Sequence, residues 1–169
     1  MMTETVTISL DAVIAMSGRS RRTWWRRIEE GSISKLPADA RGRTLLVFGE
    51  IRPALGMALT DEEVAMIARA DAGDALAQAE AGAMFALRAQ KMPGAGSHCA
   101  AFYWLEQAAA QGSADAMHWL GMLYAAGRGE SGDSQHLALM WIAQAAAQGH
   151  AIARQQVHSL TGRVVQQAV

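Results

Sequence analysis

Five arginines fall within nine residues, Arg19, Arg21, Arg22, Arg26 and Arg27, and two more, Arg41 and Arg43, flank a glycine further on. A guanidinium offers a planar fork of donors that matches phosphate oxygens and the edge of guanine, so this clustering suits a polyanion. The other chemistry-bearing residues are scattered. His98, His118, His136, His150 and His158 include no pair at the i, i+4 spacing of a helical zinc motif. The single cysteine, Cys99, excludes an internal disulfide framework and a thiolate-rich zinc site. His98-Cys99 lacks a convergent third group, and Cys99 is expected as a small buried residue at a helix start. Gly94-Ala95-Gly96 and Gly127-Arg128-Gly129-Glu130-Ser131-Gly132 follow no strand and precede no Lys-Ser/Thr, which makes them loops rather than phosphate cradles. Neither catalysis nor a cofactor is expected.

The elements that must position these groups divide into two halves. Of 169 residues, 51% are hydrophobic and 18% charged, enough apolar material for one or two small cores. Residues 1–60 hold six alanines and residues 61–169 hold 29. Charge divides likewise, +3 in the front and −4 in the rear, so the overall charge of −1 hides a basic and an acidic half. Thr60-Asp61-Glu62-Glu63 reads as a capping box opening a new helix, which places a boundary there: 1–59 and 60–169. The segment MMTETVTISL lacks a basic-then-apolar leader, and no apolar run reaches the roughly 18 residues that span a bilayer. A soluble, cytoplasmic protein without membrane contact is expected.

In the front half, Leu10, Val13 and Ile14 stand at helical spacing after Ser9, a candidate N-cap, and Gly18 ends that helix. Ser20 then caps a second helix, Arg21 to Glu30, that stops at Gly31. On it Trp24 and Ile28 form an apolar stripe fit to pack on Leu10 and Val13. The arginines of its first turn oppose the helix dipole, so helix stability does not explain them, whereas a polyanion at that end would. Arg41-Gly42-Arg43 followed by Thr44-Leu45-Leu46-Val47-Phe48 predicts a small hairpin with arginines at its tip, and Glu50–Leu55 a short closing helix.

Leu10-Asp11-Ala12-Val13 followed by Gly18-Arg19-Ser20-Arg21-Arg22-Thr23-Trp24-Trp25-Arg26-Arg27-Ile28-Glu29-Glu30-Gly31 resembles the winged helix-turn-helix of the MerR, AlpA and excisionase type. The resemblance implies that the helix starting at Ser20 enters the major groove and that the Arg41–Arg43 turn is a wing. It implies roles for Arg21, Arg22 and Thr23 at base edges or phosphates, and phosphate contacts for Trp25, Arg26 and Arg43. Arg19 and Arg27 replace a buried valine and an apolar aromatic of that pattern, either opening the turn or extending the basic surface. An exposed Trp25 would equally suit a protein interface.

The rear half repeats itself. Trp104 recurs as Trp141, and Ala108-Ala109-Ala110-Gln111-Gly112 as Ala145-Ala146-Ala147-Gln148-Gly149, both at an offset of 37. Ala72–Ala77 matches Gln111–Ala116 at an offset of 39, with the two extra residues assigned to the Lys91–Ser97 loop. Each unit reads as helix, loop, helix, with small residues allowing close approach and Phe85, Trp104, Tyr124 and Trp141 filling between. The run from Ala116 to Gly149 is similar to the Sel-one-like repeat, a relative of tetratricopeptide repeats. Units at 74–112 and 113–149 and a capping helix at 150–167 follow. The resemblance implies a solenoid that binds proteins, without catalytic residues. His118 and Trp119 occupy its variable positions and would line a concave groove, although Trp119 equally suits the core. Met117, Met122 and Met140 are expected in the core.

The expectation is therefore a mainly α protein, a small winged helix-turn-helix domain followed by a short α-solenoid of helix-turn-helix repeats. Its function would be that of a transcriptional regulator. Arg19, Arg21, Arg22, Thr23, Trp25, Arg26, Arg41 and Arg43 would meet double-stranded DNA, and the repeats would hold a protein partner or a second copy. The alternative is an adaptor in which both halves bind protein and DNA is never touched.

Overall fold

The computed structural model describes residues 5–92, 98–129 and 132–167, with side chains through 162. Pro93, Gly94 and Gly96, assigned above to a loop between units, and Glu130-Ser131 lie outside the described residues. The chain begins with strand β1 (Thr7–Ser9), which runs directly into helix α1 (Leu10–Ser17). The Ser9 hydroxyl caps α1 by accepting from the Ala12 amide at 3.3 Å, and Gly18, at φ 62°, closes it. Two residues later Ser20 caps helix α2 (Arg21–Glu29), accepting from the Thr23 amide at 3.2 Å. Trp24 is wholly buried with Leu10 and Val13, and its indole N–H donates to Ser17 Oγ at 3.0 Å. The apolar stripe thus packs as expected.

Strands β2 (Lys35–Leu36) and β3 (Leu45–Val47) form the expected antiparallel hairpin. The third strand, β1, was not expected. It pairs with the other side of β3, in the order β1-β3-β2, with Ile8 opposite Leu46 and both fully buried. Helix α3 (Phe48–Ile51) and a 3₁₀ turn over Arg52–Leu55 cover the sheet end. The capping box is present in full: Thr60 N–H donates to Glu63 Oε2 at 2.8 Å and Glu63 N–H to Thr60 Oγ1 at 3.2 Å, opening α4 (Asp61–Ala72).

A solenoid of packed helices follows: α5 (Ala75–Lys91), α6 (Cys99–Ala110), α7 (Ala114–Ala125), α8 (Ser134–Ala147) and α9 (Ala151–Gln167), each packed on the one before. The repeat is visible in its corners. Gly73, Gly112 and Gly149 all take positive φ (109°, 90° and 97°), and each is followed by a residue whose side chain caps the next helix. Asp74 accepts from Leu76 and Ala77, Ser113 from Ala116, and His150 Nδ1 from Ala153. Glycine is needed on two helix faces as well. A Cβ on Gly82 would sit 2.5 Å from Leu105 Cγ, and one on Gly121 would sit 2.6 Å from Ile142 Cγ1. Phe85 and Trp104 are buried between helices, while Tyr124 and Trp141 are half-buried, Tyr124 edge-on to Phe102 at 5.2 Å.

Three side chains depart from expectation, the first being Met140, which is half-buried on α8 and outside the core cluster. Cys99 is exposed, because as first residue of α6 it precedes Ala100, Ala101 and Trp104, which take the core face. Met117 is buried, but Met122 is 43% exposed, for α7 turns that side away from α8.

The two halves meet around Asp71, whose carboxylate is buried. It accepts from Ser9 N–H at 2.8 Å, Ser9 Oγ at 2.6 Å and Arg43 Nη1 at 3.0 Å. Helix α1 also packs on α6, and one continuous apolar core runs from Ile8 to Ala153.

Candidate functional site

Two surfaces follow from this framework. The first is the outer side of α2. Because Trp24 is buried and Ile28 packs behind it, residues half a turn away must face outward, which selects Arg22, Arg26 and Glu29 at i, i+4 and i+7. Arg19, Arg21, Arg22 and Arg26 are exposed. Arg21 is ion-paired with Asp11, and Arg26 Nε lies 3.7 Å from Glu30 Oε1. Arg19 and Arg22 have no counter-charge among the described residues. Thr23 is half-buried, its hydroxyl 2.9 Å from that of Ser20. Trp25 is half-buried beneath Lys35, whose Nζ lies 5.1 Å from the ring centroid, and Arg27 lies 5.3 Å over Trp24. Arg27 thus covers the buried indole with its own guanidinium where an aromatic was expected.

The hairpin arginines stand elsewhere. Arg43 is partly buried, with Nε 2.8 Å from Asp39 Oδ2 and Nη1 2.9 Å from the Asp71 carbonyl as well as on its carboxylate. Burial alone would lower its pKa, but the bonds to Asp39 and the charge of Asp71 outweigh that and raise it. Arg43 therefore holds a full charge that is already matched inside the chain. Arg41 is exposed, yet its Nη2 donates to the Ala72 carbonyl at 3.3 Å and lies over Gly73.

The second surface is a groove of about 910 Å³ between α5, α7 and the start of α9. His118 and Trp119 both line it, Trp119 half-buried. Four of its lining residues, Leu76, Leu87, Met122 and Ile152, are exposed large apolar side chains. Contiguous exposed apolar surface marks a site of association far more than single exposed leucines do.

At one end of the groove the His118 and His150 rings stack at 4.2 Å with 23° between planes. His150 Nδ1 accepts from the Ala153 amide, so its ring proton sits on Nε2, which lies 3.4 Å from Asp115 Oδ1. His118 Nε2 is 3.1 Å from Gln156 Oε1. Burial, and then the neighbouring His150, lower the His118 pKa, which keeps the ring neutral. At the other end stands Arg128, exposed, beside His98, whose Nε2 is buried without a hydrogen-bond partner among the described residues. Burial first, and then the Arg128 charge, lower the His98 pKa.

Leu76, Leu87, Ile152 and Arg128 were not singled out as site residues from sequence, Met122 was expected in the core, and His150 was noted only as a histidine. Aligning the corners Gly73-Asp74, Gly112-Ser113 and Gly149-His150 would have assigned His150 its capping place. Among the described residues no three His, Cys, Asp or Glu converge as metal ligands, and no helix is long and apolar enough to cross a membrane. The chain matches no family model, no curated protein and no solved structure.

Proposed function

We propose that the protein is a DNA-binding regulator of transcription, with α2 entering the major groove and the solenoid engaging a protein partner or a second copy. One observation carries the reading: four exposed guanidinium groups gather around the first turns of a helix whose opposite side is clamped by Trp24. This agrees with the resemblance of the front half to MerR-type winged helix-turn-helix domains and of the rear half to Sel-one-like repeats. Arg21, Arg22 and Thr23 then stand nearest base edges, with Arg19, Arg26 and Trp25 on phosphates. Arg41 can turn outward from Ala72, but Arg43 is engaged with Asp39 and Asp71 and leaves the DNA-facing set.

Selection of random duplexes by the purified protein, beside an Arg22→Ala/Arg26→Ala variant, tests the assignment. The two ionic phosphate contacts of Arg19 and Arg26 predict a loss of roughly tenfold in affinity between 50 and 200 mM salt. The double variant is expected to reduce the salt slope by about 1, through Arg26, and to relax the selected sequence, through Arg22, while leaving helicity unchanged. Salt-insensitive or absent duplex binding overturns it.

The adaptor reading is favoured by a separate observation, the inward engagement of Arg43. A hairpin docked on the chain's own α4 is less available to DNA. Under this reading both surfaces bind protein, and the Arg22/Arg26 variant leaves duplex binding at its background level.

A further inference from the structure

The charged residues that line the groove are unequally matched. Among its described lining residues, Glu80 faces Arg69 at 3.8 Å and Asp115 faces His150 at 3.4 Å, so both acids have neighbours. Arg128 has no counter-charge among the described residues. Alternate helices of an up-and-down array run parallel, which gathers Leu87 and Gln90 near the end of α5, Leu123 and Ala126 near the end of α7, and Arg128 at one mouth of the groove. His98, whose buried Nε2 has no hydrogen-bond partner among the described residues, belongs to the same mouth. From Leu76 to Gln90 the α5 wall is about 21 Å long, roughly four helical turns.

We propose that the groove receives a four-turn amphipathic helix of a partner protein, its apolar side on Leu76, Leu87, Trp119 and Met122 and a carboxylate at its end on Arg128. A helix is the fitting occupant because it bonds its own backbone. An extended chain on this apolar floor would leave N–H and C=O groups facing hydrocarbon, at a cost per group that the lining does not offset. The carboxylate follows from Arg128, which is exposed and has no counter-charge among the described residues. The acid is supplied either by an Asp or Glu side chain or by a chain terminus. This deepens the partner-binding half of the reading above and rests on it, while DNA binding by α2 is independent.

The test uses the full chain and displayed 16-residue helical peptides with apolar positions randomised at i, i+4, i+7 and i+11, and Glu or Gln near either end. A selected peptide is then synthesised in three forms: with Glu, with Gln, and with Gln but a free terminal carboxylate. Binding is read by fluorescence anisotropy to the native protein, Arg128→Gln and Leu87→Glu, each checked by circular dichroism. Leu87 is 47% exposed, so the charge does not enter the core. Expected is an about tenfold loss on Glu→Gln in the native protein, the same loss on Arg128→Gln with the Glu peptide, and no further loss when both changes are combined. Leu87→Glu weakens every form at least tenfold. The terminal-carboxylate form tells which source of acid is accepted. Peptides that depend on Leu87 but bind alike with Glu and Gln overturn the acid-tipped helix and leave a partner groove. Absence of any Leu87-dependent peptide overturns both. A concentration-dependent dimer that Leu87→Glu dissolves makes the occupant a second copy and overturns the proposal.

Discussion

The seam between the two halves of the molecule and the seam between α7 and α8 are built from opposite materials. At Asp71 a buried carboxylate collects a backbone amide, a hydroxyl and a guanidinium from two separate elements of the front half. Between α7 and α8 the corresponding contact is Gly121 against Ile142, with no polar side chain in it. Directed bonds at the first seam hold an orientation, that of α2 relative to the groove. At the second, the missing side chain sets a distance. The α7–α8 seam thus closes through a small residue alone, whereas joining the front half to α4 takes specific partners, as does the start of the solenoid, where Gln78 donates to the Ala70 carbonyl and Gln111 to Gln78.

The polar seam is the more costly to break. Asp71→Ala leaves the Ser9 N–H without its acceptor and takes one acceptor from Arg43, which keeps Asp39 and the residue-71 carbonyl; unfolding in urea is expected to show a loss of about 2–4 kcal/mol, with Asp71→Asn intermediate because it keeps an acceptor oxygen. Losses below about 1 kcal/mol for both would mean that apolar packing of α1 on α6 holds the halves together instead. For the dry seam, Gly121→Val meets Ile142 and the Ala138 carbonyl and is expected to cost about 2–3 kcal/mol. Gly162→Ala, in helix α9 with nothing within 4 Å, should act in the opposite direction by about 0.5–1 kcal/mol, since only helix propensity changes there. Equal effects of the two glycine changes would remove close approach as the explanation.

The smallest effect concerns pH. A histidine whose folded pKa lies below its ordinary 6.5 is protonated first in the unfolded chain, so the unfolded state binds more protons as pH falls. The stability that neutral His118 contributes is present above pH 6.5 and declines as pH drops toward its folded value. Urea midpoints at pH 7.5 and 5.5 should therefore differ more for the native protein than for His118→Gln. An equal shift in both would locate the acid sensitivity away from the His118–His150 stack.

How much of this was legible in the sequence depends on the distance between partners. Ser9, Ser20 and the Thr60–Glu63 box cap groups three residues away, so their role is written locally. The offset of 37 shows because each unit ends in the same corner, Gly112 and Gly149, which the backbone needs at positive φ. Strand β1 was missed although Thr5-Val6-Thr7-Ile8-Ser9-Leu10 alternates polar and apolar residues: the run is short, passes directly into α1, and its partner strand lies far along the chain. Arg43 read as a free cation because nothing nearby betrays Asp71, 28 residues on. The arginine cluster was visible as composition, and its outward direction required only the position of Trp24. The groove was half visible: His118 and Trp119 marked it, while Leu76, Leu87 and Met122 resemble any core residue until α5 and α7 leave them uncovered.

The Ser9 hydroxyl has two simultaneous tasks, accepting from Ala12 to start α1 and donating to Asp71 in α4. Opening the seam therefore also frays the first helix of the front half, and fraying that helix weakens the seam. The consequence is one cooperative unit: amide protons of α1 and α4 should share a single opening event in hydrogen exchange, despite lying on either side of a compositional boundary. A protease able to nick the chain near Thr60 would then release no stable front piece, because the residue that begins its first helix is held from the other side.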